Sequence, residues 1–235
     1  MKTKNIPRSI AIIPDGNRRF AKKLMLQPWK GHEWGAEKLE KVFGWCKEAG
    51  IKDITFYTLS LENMESRPKL ELDQIFNIAR VWLKKVNTDP DYFVHKNKVK
   101  LHFFGELNKV PKDIQQNIAK ATEKTKSYSG YRINLAVAYG GRQEILNACR
   151  SMVAGASSPK SITEGLLRRN LQTNGSIDPD LIIRTGGEKR LSNFLLFQSA
   201  YSELSFLEPF WPDLTKEQFI AAIDEFSNRK RRFGK

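Results

Sequence analysis

Asp15 is an acid in basic company. It sits in Pro14-Asp15-Gly16-Asn17-Arg18-Arg19-Phe20. Gly16 permits a tight turn and close backbone approach. Arg18 and Arg19 add forked donors suited to phosphate oxygens. A segment from Arg18 to Leu24 could open a helix whose free N–H groups face an anion. A carboxylate beside a phosphate needs a cation between them, and a hard Mg²⁺ held by oxygen ligands meets that need. A second cluster, Ser60-Leu61-Glu62-Asn63, runs into Glu65-Ser66-Arg67-Pro68. Its serine, asparagine and arginine can all donate to an oxyanion. The third cluster spans Arg184 to Asn193, with Arg184, Arg190 and Ser192 around Gly186-Gly187. No Gly-Lys-Ser/Thr closes it, so it is not a Walker loop. Ser192 could cap a helix over Phe194–Ala200. Each cluster alone also describes a solvated turn. Three arginine-bearing clusters together describe a cradle for phosphate groups.

The clusters follow segments with the composition of strands. Ser9–Ile13, Asp53–Leu59 and Leu181–Ile183 are short apolar or β-branched runs, as are Val99–Phe104 and Ile133–Ala138. Between them, apolar residues recur at helical spacing over Glu33–Ala49, which Gly50 stops, and over Leu70–Val86. Thr215–Arg232 predicts a last helix, and Asn87–Lys98 reads as a loop. Alternating strands and helices predict an α/β fold with a mainly parallel sheet, whose ligands sit at the carboxyl ends of the strands. No linker interrupts residues 1–235, which predicts one domain. Ile75, Phe76, Ala79, Trp82 and Leu83 make a broad apolar face on Leu70–Val86, fit for ordinary core or for the wall of a tunnel.

The 235 residues carry 40 Lys and Arg against 26 Asp and Glu, a net charge of +14. That charge attracts polyanions without naming one. No nucleic-acid-binding module accompanies it, so nucleic acid is not an expected partner. The Arg229-Lys230-Arg231-Arg232 run suits a solvated helix end or a membrane-surface contact. Two cysteines and three scattered histidines give neither a disulfide framework nor metal-ligand spacing. No apolar run approaches the ~20 residues needed to span a bilayer. A cytoplasmic protein is expected, at most peripheral to an anionic membrane.

Several motifs together resemble a known family. They are IAIIPDGNRRFAKK, GHEWGAEKL, YTLSLENMESRP, NLAVAYGGRQEI, DPDLIIRTGGEKRLSNFLL, YSELSF and WPDL followed by NRKRRFG. In this order, from Ile10 to Gly234, they resemble the cis-prenyltransferases, the undecaprenyl diphosphate synthase family. The resemblance implies a central six-stranded sheet flanked by helices, with a hydrophobic tunnel between them. It implies a Mg²⁺-dependent enzyme that condenses isopentenyl diphosphate with an allylic prenyl diphosphate into a Z-polyprenyl diphosphate. Asp15, Asn17 and Asn63 would be catalytic. Gly16, Asn17, Arg18, Arg19, His32 and Arg67 would hold the allylic diphosphate. Arg184, Arg190, Ser192, Arg232 and Gly234 would hold isopentenyl diphosphate. Asp15 and Glu203 would serve the metal, and Glu203 and the terminal Arg232-Phe233-Gly234 would belong to a homodimer. Pro28 stands where bacterial members carry an arginine, so that one phosphate contact is either missing or supplied by Lys30. A non-catalytic scaffold subunit, another prenyl acceptor and a non-head-to-tail condensation are the alternatives. The first conflicts with the retained Asp15, Asn17, Arg19, Arg184 and Arg190.

Overall fold

The computed structural model describes residues 5–155 and 158–229. Strand β1 (Ser9–Ile13) is buried along its whole length, so its sequence is a continuous apolar run rather than an alternating one. It shares a sheet with β2 (Asp53–Ser60), β3 (Val99–Phe104), β4 (Tyr131–Tyr139), β5 (Leu181–Arg184) and β6 (Glu203–Phe206). The order is β3-β4-β2-β1-β5-β6, and every neighbouring pair is parallel. The chain builds outward from β1 through β2 on one side and later through β5 on the other. This reversal opens a crevice at the carboxyl end of β1, the place where parallel α/β sheets bind ligands.

Alternate residues of β1 enter two cores. Ile10 and Ile12 face the larger, with Phe56, Leu135, Trp211 and Phe219. Ala11 and Ile13 face the smaller, with Tyr57, Tyr139 and Phe194. The helices are α1 (Asn17–Lys23), α2 (Pro28–Glu48), α3 (Leu61–Ser66), α4 (Lys69–Thr88), α5 (Phe93–Lys96), α6 (Lys112–Thr125), α7 (Gly141–Gly155), α8 (Glu164–Asn170) and α9 (Lys216–Asn228). Helix α9 starts with a reciprocal capping box between Thr215 and Gln218. No helix of the described residues is long and apolar enough to cross a membrane.

Several elements differ from the sequence reading. Helix α2 begins at Pro28, five residues before Glu33, because proline at the first helical position loses no hydrogen bond. Helix α5 occupies part of the Asn87–Lys98 segment. Phe194–Ala200 is a chain of turns rather than a helix. Ser192, Asn193 and Leu195 all have positive φ there, and the Asn193 carbonyl accepts from the Gly141 N–H at 2.7 Å. Strand β6 and helices α6 and α7 go beyond that reading. Four residues of β6, one of them a half-exposed leucine, carry too little pattern to mark a strand.

Gly105 ends β3 with φ 123°, and a Cβ there would lie 2.0 Å from the Val137 carbonyl oxygen. The Glu106 N–H then bonds to the Ala138 carbonyl at 3.1 Å, turning the chain across the end of β4. Gly105→Ala is expected to lower the unfolding free energy by at least about 2 kcal/mol, measured by urea denaturation.

Candidate active site

The ends of β1, β2 and β5 open into a pocket of about 1210 Å³. Arg18, Arg19, Lys22, Arg67, Arg142, Arg184 and Arg190 line it, against the carboxylates of Asp15 and Glu62. At its centre Asp15 Oδ2 accepts from Arg184 Nη2 at 2.8 Å and Oδ1 accepts from the Gly16 N–H at 2.6 Å. Arg19 Nη2 lies 3.3 Å from Oδ1. Partial burial opposes the Asp15 charge, but the bond and charge of Arg184, helped by Arg19, outweigh it and hold the carboxyl below its ordinary range. Asp15 is thus ionised and still 29% exposed.

Arg184 comes from the last position of β5, and its side chain is 5% exposed. Its other nitrogen, Nη1, donates to Ser192 Oγ at 2.8 Å and to the Arg190 carbonyl. One buried guanidinium therefore ties β5, the Asp15 turn and the Arg190–Ser192 loop together. Arg190 itself is 59% exposed and pairs with Glu188. Gly16, with φ 102°, packs where a Cβ would lie 2.6 Å from Phe210, so only glycine fits. Ser60 caps α3 by accepting from the Asn63 N–H at 3.0 Å, which sets Asn63 on the exposed rim.

The inner wall holds a second network, centred on Glu71, which the sequence reading missed. Its carboxylate is 3.0 Å from His32 Nε2, 3.3 Å from Arg67 and 3.7 Å from Arg18. The His32 hydrogen bond, against burial and with both arginines, holds Glu71 below its ordinary range. Burial lowers the His32 pKa despite Glu71. Glu71 lies four residues after Arg67, the spacing of a helical ion pair. That spacing was visible, but its burial was not.

Asn17, the first residue of α1, sits under this wall. A Cβ on Gly31 would lie 2.0 Å from its carbonyl oxygen, and one on Gly35 2.5 Å from its Oδ1. Two glycines of α2 therefore admit Asn17. Asn17 Oδ1, Arg67 Nε and Arg184 Nε are buried without a hydrogen-bond partner. Below Asn17 lies an apolar cavity of about 190 Å³ between the sheet and helices α2, α4 and α6. Ile75, Phe76, Ala79, Trp82 and Leu83 of α4 line it, as do Phe103 and Leu135 of the sheet. Pro14, Asn17, His32 and Thr58 line both spaces, so the basic pocket and the apolar cavity share a wall.

The structure brings Asp15, Gly16, Asn17, Arg18, Arg19, His32, Asn63, Arg67, Arg184, Arg190 and Ser192 to one pocket. It does not bring Glu203 there. Glu203 pairs with Leu181, which is level with Ile10, about 10 Å below the end of β1 and two strands across. Its carboxylate pairs with Arg229 at 2.6 Å. Asp15 and Glu203 of one chain therefore cannot share an ion. Arg232 and Gly234 lie outside the described residues. Lys30 does not replace the charge expected at Pro28, since it pairs with Glu33 at 2.7 Å. Lys22 lines the pocket instead. Arg142, at the start of α7, is a further cation the sequence reading did not assign.

The donor set bears on the metal. Among the described residues no three His, Cys, Asp or Glu side chains are grouped to hold an ion. One ionised, part-exposed carboxylate beside arginines fits a Mg²⁺ that takes its remaining ligands from a diphosphate and water. It does not fit a metal held by protein alone.

Residues 13–234 match the model of the undecaprenyl diphosphate synthase family of prenyltransferases. The chain is similar to the tritrans,polycis-undecaprenyl-diphosphate synthase (geranylgeranyl-diphosphate specific) of Methanopyrus kandleri, 44% identical over 100% of this chain and 87% of that protein. The Pyrobaculum aerophilum protein of the same name is 42% identical over 98% of this chain and 97% of its own length. The crystal structure of lavandulyl diphosphate synthase from Lavandula x intermedia, in complex with dimethylallyl diphosphate, superposes with a TM-score of 0.90 at 31% identity. It covers 98% of this chain and 99% of that one. A full-length sequence match and a parallel sheet with a basic pocket at its switch point agree: the chain belongs to the undecaprenyl diphosphate synthase family and is a prenyltransferase.

Proposed function

We propose that the chain condenses isopentenyl diphosphate with an allylic prenyl diphosphate, releasing diphosphate and forming a longer Z-prenyl diphosphate. The observation that carries this is the shared wall at Pro14, Asn17, His32 and Thr58. A basic pocket above it suits diphosphates, and an apolar cavity below it suits a hydrocarbon tail. The names of the relatives support geranylgeranyl diphosphate as the primer and a long polyprenyl product.

In the reaction the allylic C1–O bond breaks and its electron pair leaves with diphosphate. The isopentenyl double bond supplies the pair for the new bond to C1, and a proton is lost from the neighbouring carbon. Arg18, Arg19, His32 and Arg67 would hold the allylic diphosphate, with the free Arg67 Nε as a donor not yet satisfied. Arg184, Arg190 and Ser192 would hold the second diphosphate. Asp15, between the two sets, would hold Mg²⁺ with the phosphate oxygens. Bound there, the ion supplies neutralisation of the leaving diphosphate. Glu71 fixes His32 and Arg67, so removing it would misplace two contacts at once. Asn17 and Asn63 both line the pocket and would be polar groups within reach of substrate. A homodimer remains part of the reading: β6 is an edge strand, with Leu204 on it and Tyr201 just before it exposed, and a second copy would cover it.

Arg190→Ala should raise the KM for isopentenyl diphosphate by roughly 10- to 150-fold, the worth of one charge-assisted contact. Arg184→Ala should in addition lower kcat, because it strips Asp15 and Ser192 of a partner. Steady-state kinetics in both substrates separate the two, and a rise in the allylic KM alone would reverse the assignment of the sites. Asp15→Asn should abolish turnover while substrate still binds, checked by single-turnover assay and by binding of a radiolabelled allylic diphosphate.

Ala79 is the smallest of the α4 residues lining the cavity. Ala79→Leu should stop elongation one or more C5 units early at little cost in stability. Product masses from C10, C15 and C20 primers, with a melting curve, test this and the proposed reaction together. A loss of about 1–3 kcal/mol with unchanged product length would mean closed core instead.

A further inference from the structure

The turn between α1 and α2 is built in a way that the core does not explain. Residues 22–27 are all exposed. Three in succession are apolar: Leu24 is 46%, Met25 95% and Leu26 44% exposed. The backbone makes this choice more costly. The Leu26 N–H bonds to the Ala21 carbonyl at 2.9 Å and the Met25 N–H to the Lys22 carbonyl at 3.0 Å. These are the two bonds of a helix stop whose left-handed residue is usually glycine. Met25 occupies that position with φ 56°, so a strained backbone presents an almost fully exposed thioether side chain to water.

The tip is held in place. Phe20 meets Trp34 edge-on at 5.3 Å, fixing α1 against α2. Lys22 and Lys23 flank the apolar residues, and α1 contains no acidic residue. Met25 and Leu26 also border the entrance of the diphosphate pocket.

We propose that Lys22–Leu26 docks the pocket entrance onto an anionic lipid bilayer. Leu24, Met25 and Leu26 enter the boundary between headgroups and acyl chains, and Lys22 and Lys23 rest on lipid phosphates. The convex shape favours this occupant. Three side chains on a tip are far too small an area for a stable protein partner, whereas a fluid surface closes around them. The net charge of +14 draws the whole chain to the same surface. The proposal rests on prenyl transfer only for its purpose, delivery of a long-tailed product into lipid.

The test is co-sedimentation with vesicles of phosphatidylcholine alone or mixed with phosphatidylglycerol, without substrate. The wild-type chain should bind the mixed vesicles, lose them in high salt and ignore the neutral ones. L24S/M25G/L26S should bind roughly tenfold more weakly, and L24S alone, at a residue that does not line the pocket, should bind more weakly with an unchanged KM for a short allylic diphosphate in vesicle-free buffer. M25G alone should melt no lower than wild type, because glycine relieves the left-handed strain. No wild-type binding to anionic vesicles, or equal binding by the triple variant, would overturn the proposal. So would a variant that becomes monomeric by light scattering, which would make the tip an interface between copies. A raised vesicle-free KM in L24S would assign the tip to substrate. Because vesicle binding is read without turnover, its failure leaves the prenyl-transfer reading intact.

Discussion

A guanidinium removed from water must have its charge answered close by, and Arg184 is answered by Asp15, Ser192 and the Arg190 carbonyl. Those partners come from two separate stretches of chain, and Arg184 itself from a third. The pair between Arg184 and Asp15 joins the ends of two neighbouring strands, and the bonds to Ser192 and Arg190 pull a left-handed loop over them. The cost of burying Arg184 therefore falls once the pocket is assembled, and not before. The same arrangement keeps Asp15 ionised in a place where burial alone would favour its neutral form.

The inner wall repeats the device with the signs exchanged. There the buried ion is the Glu71 carboxylate, and its partners are His32, Arg67 and Arg18. One carboxylate set among arginines at each wall lets several cations stand together without a bound anion. It also leaves some of their capacity unspent, since Arg67 Nε and Arg184 Nε find no acceptor.

Close approach of backbone completes the site. Gly31 and Gly35 let α2 lie against Asn17, and Trp211 donates from its ring nitrogen to the Gly35 carbonyl at 2.8 Å. Asn17 is thereby fixed on the wall between the charged pocket and the apolar cavity. A polar site and an oily one can adjoin only where such a layer is rigid, because water drawn into the cavity would cancel its affinity for hydrocarbon.

The sequence by itself determined the parallel α/β class, the strands that lead into Asp15, Ser60 and Arg184, and most pocket residues. These were legible because local signals carry them: apolar runs, the Gly16 turn, arginines placed after strands, and motifs in a known order. What the tertiary structure alone decided is who meets whom. Glu71 carries no mark in the sequence beyond its spacing from Arg67, yet packing of α4 against α2 makes it the centre of one wall. Glu203 lies in a matched motif, yet the register of β6 with β5 sets it at the far end of the sheet, against Arg229. Ser192 reads as a helix cap, but Arg184 claims its hydroxyl and the backbone there turns left-handed. In each case the deciding energy is a tertiary contact set by how strands, helices and loops pack. Propensity and spacing describe only neighbours along the chain.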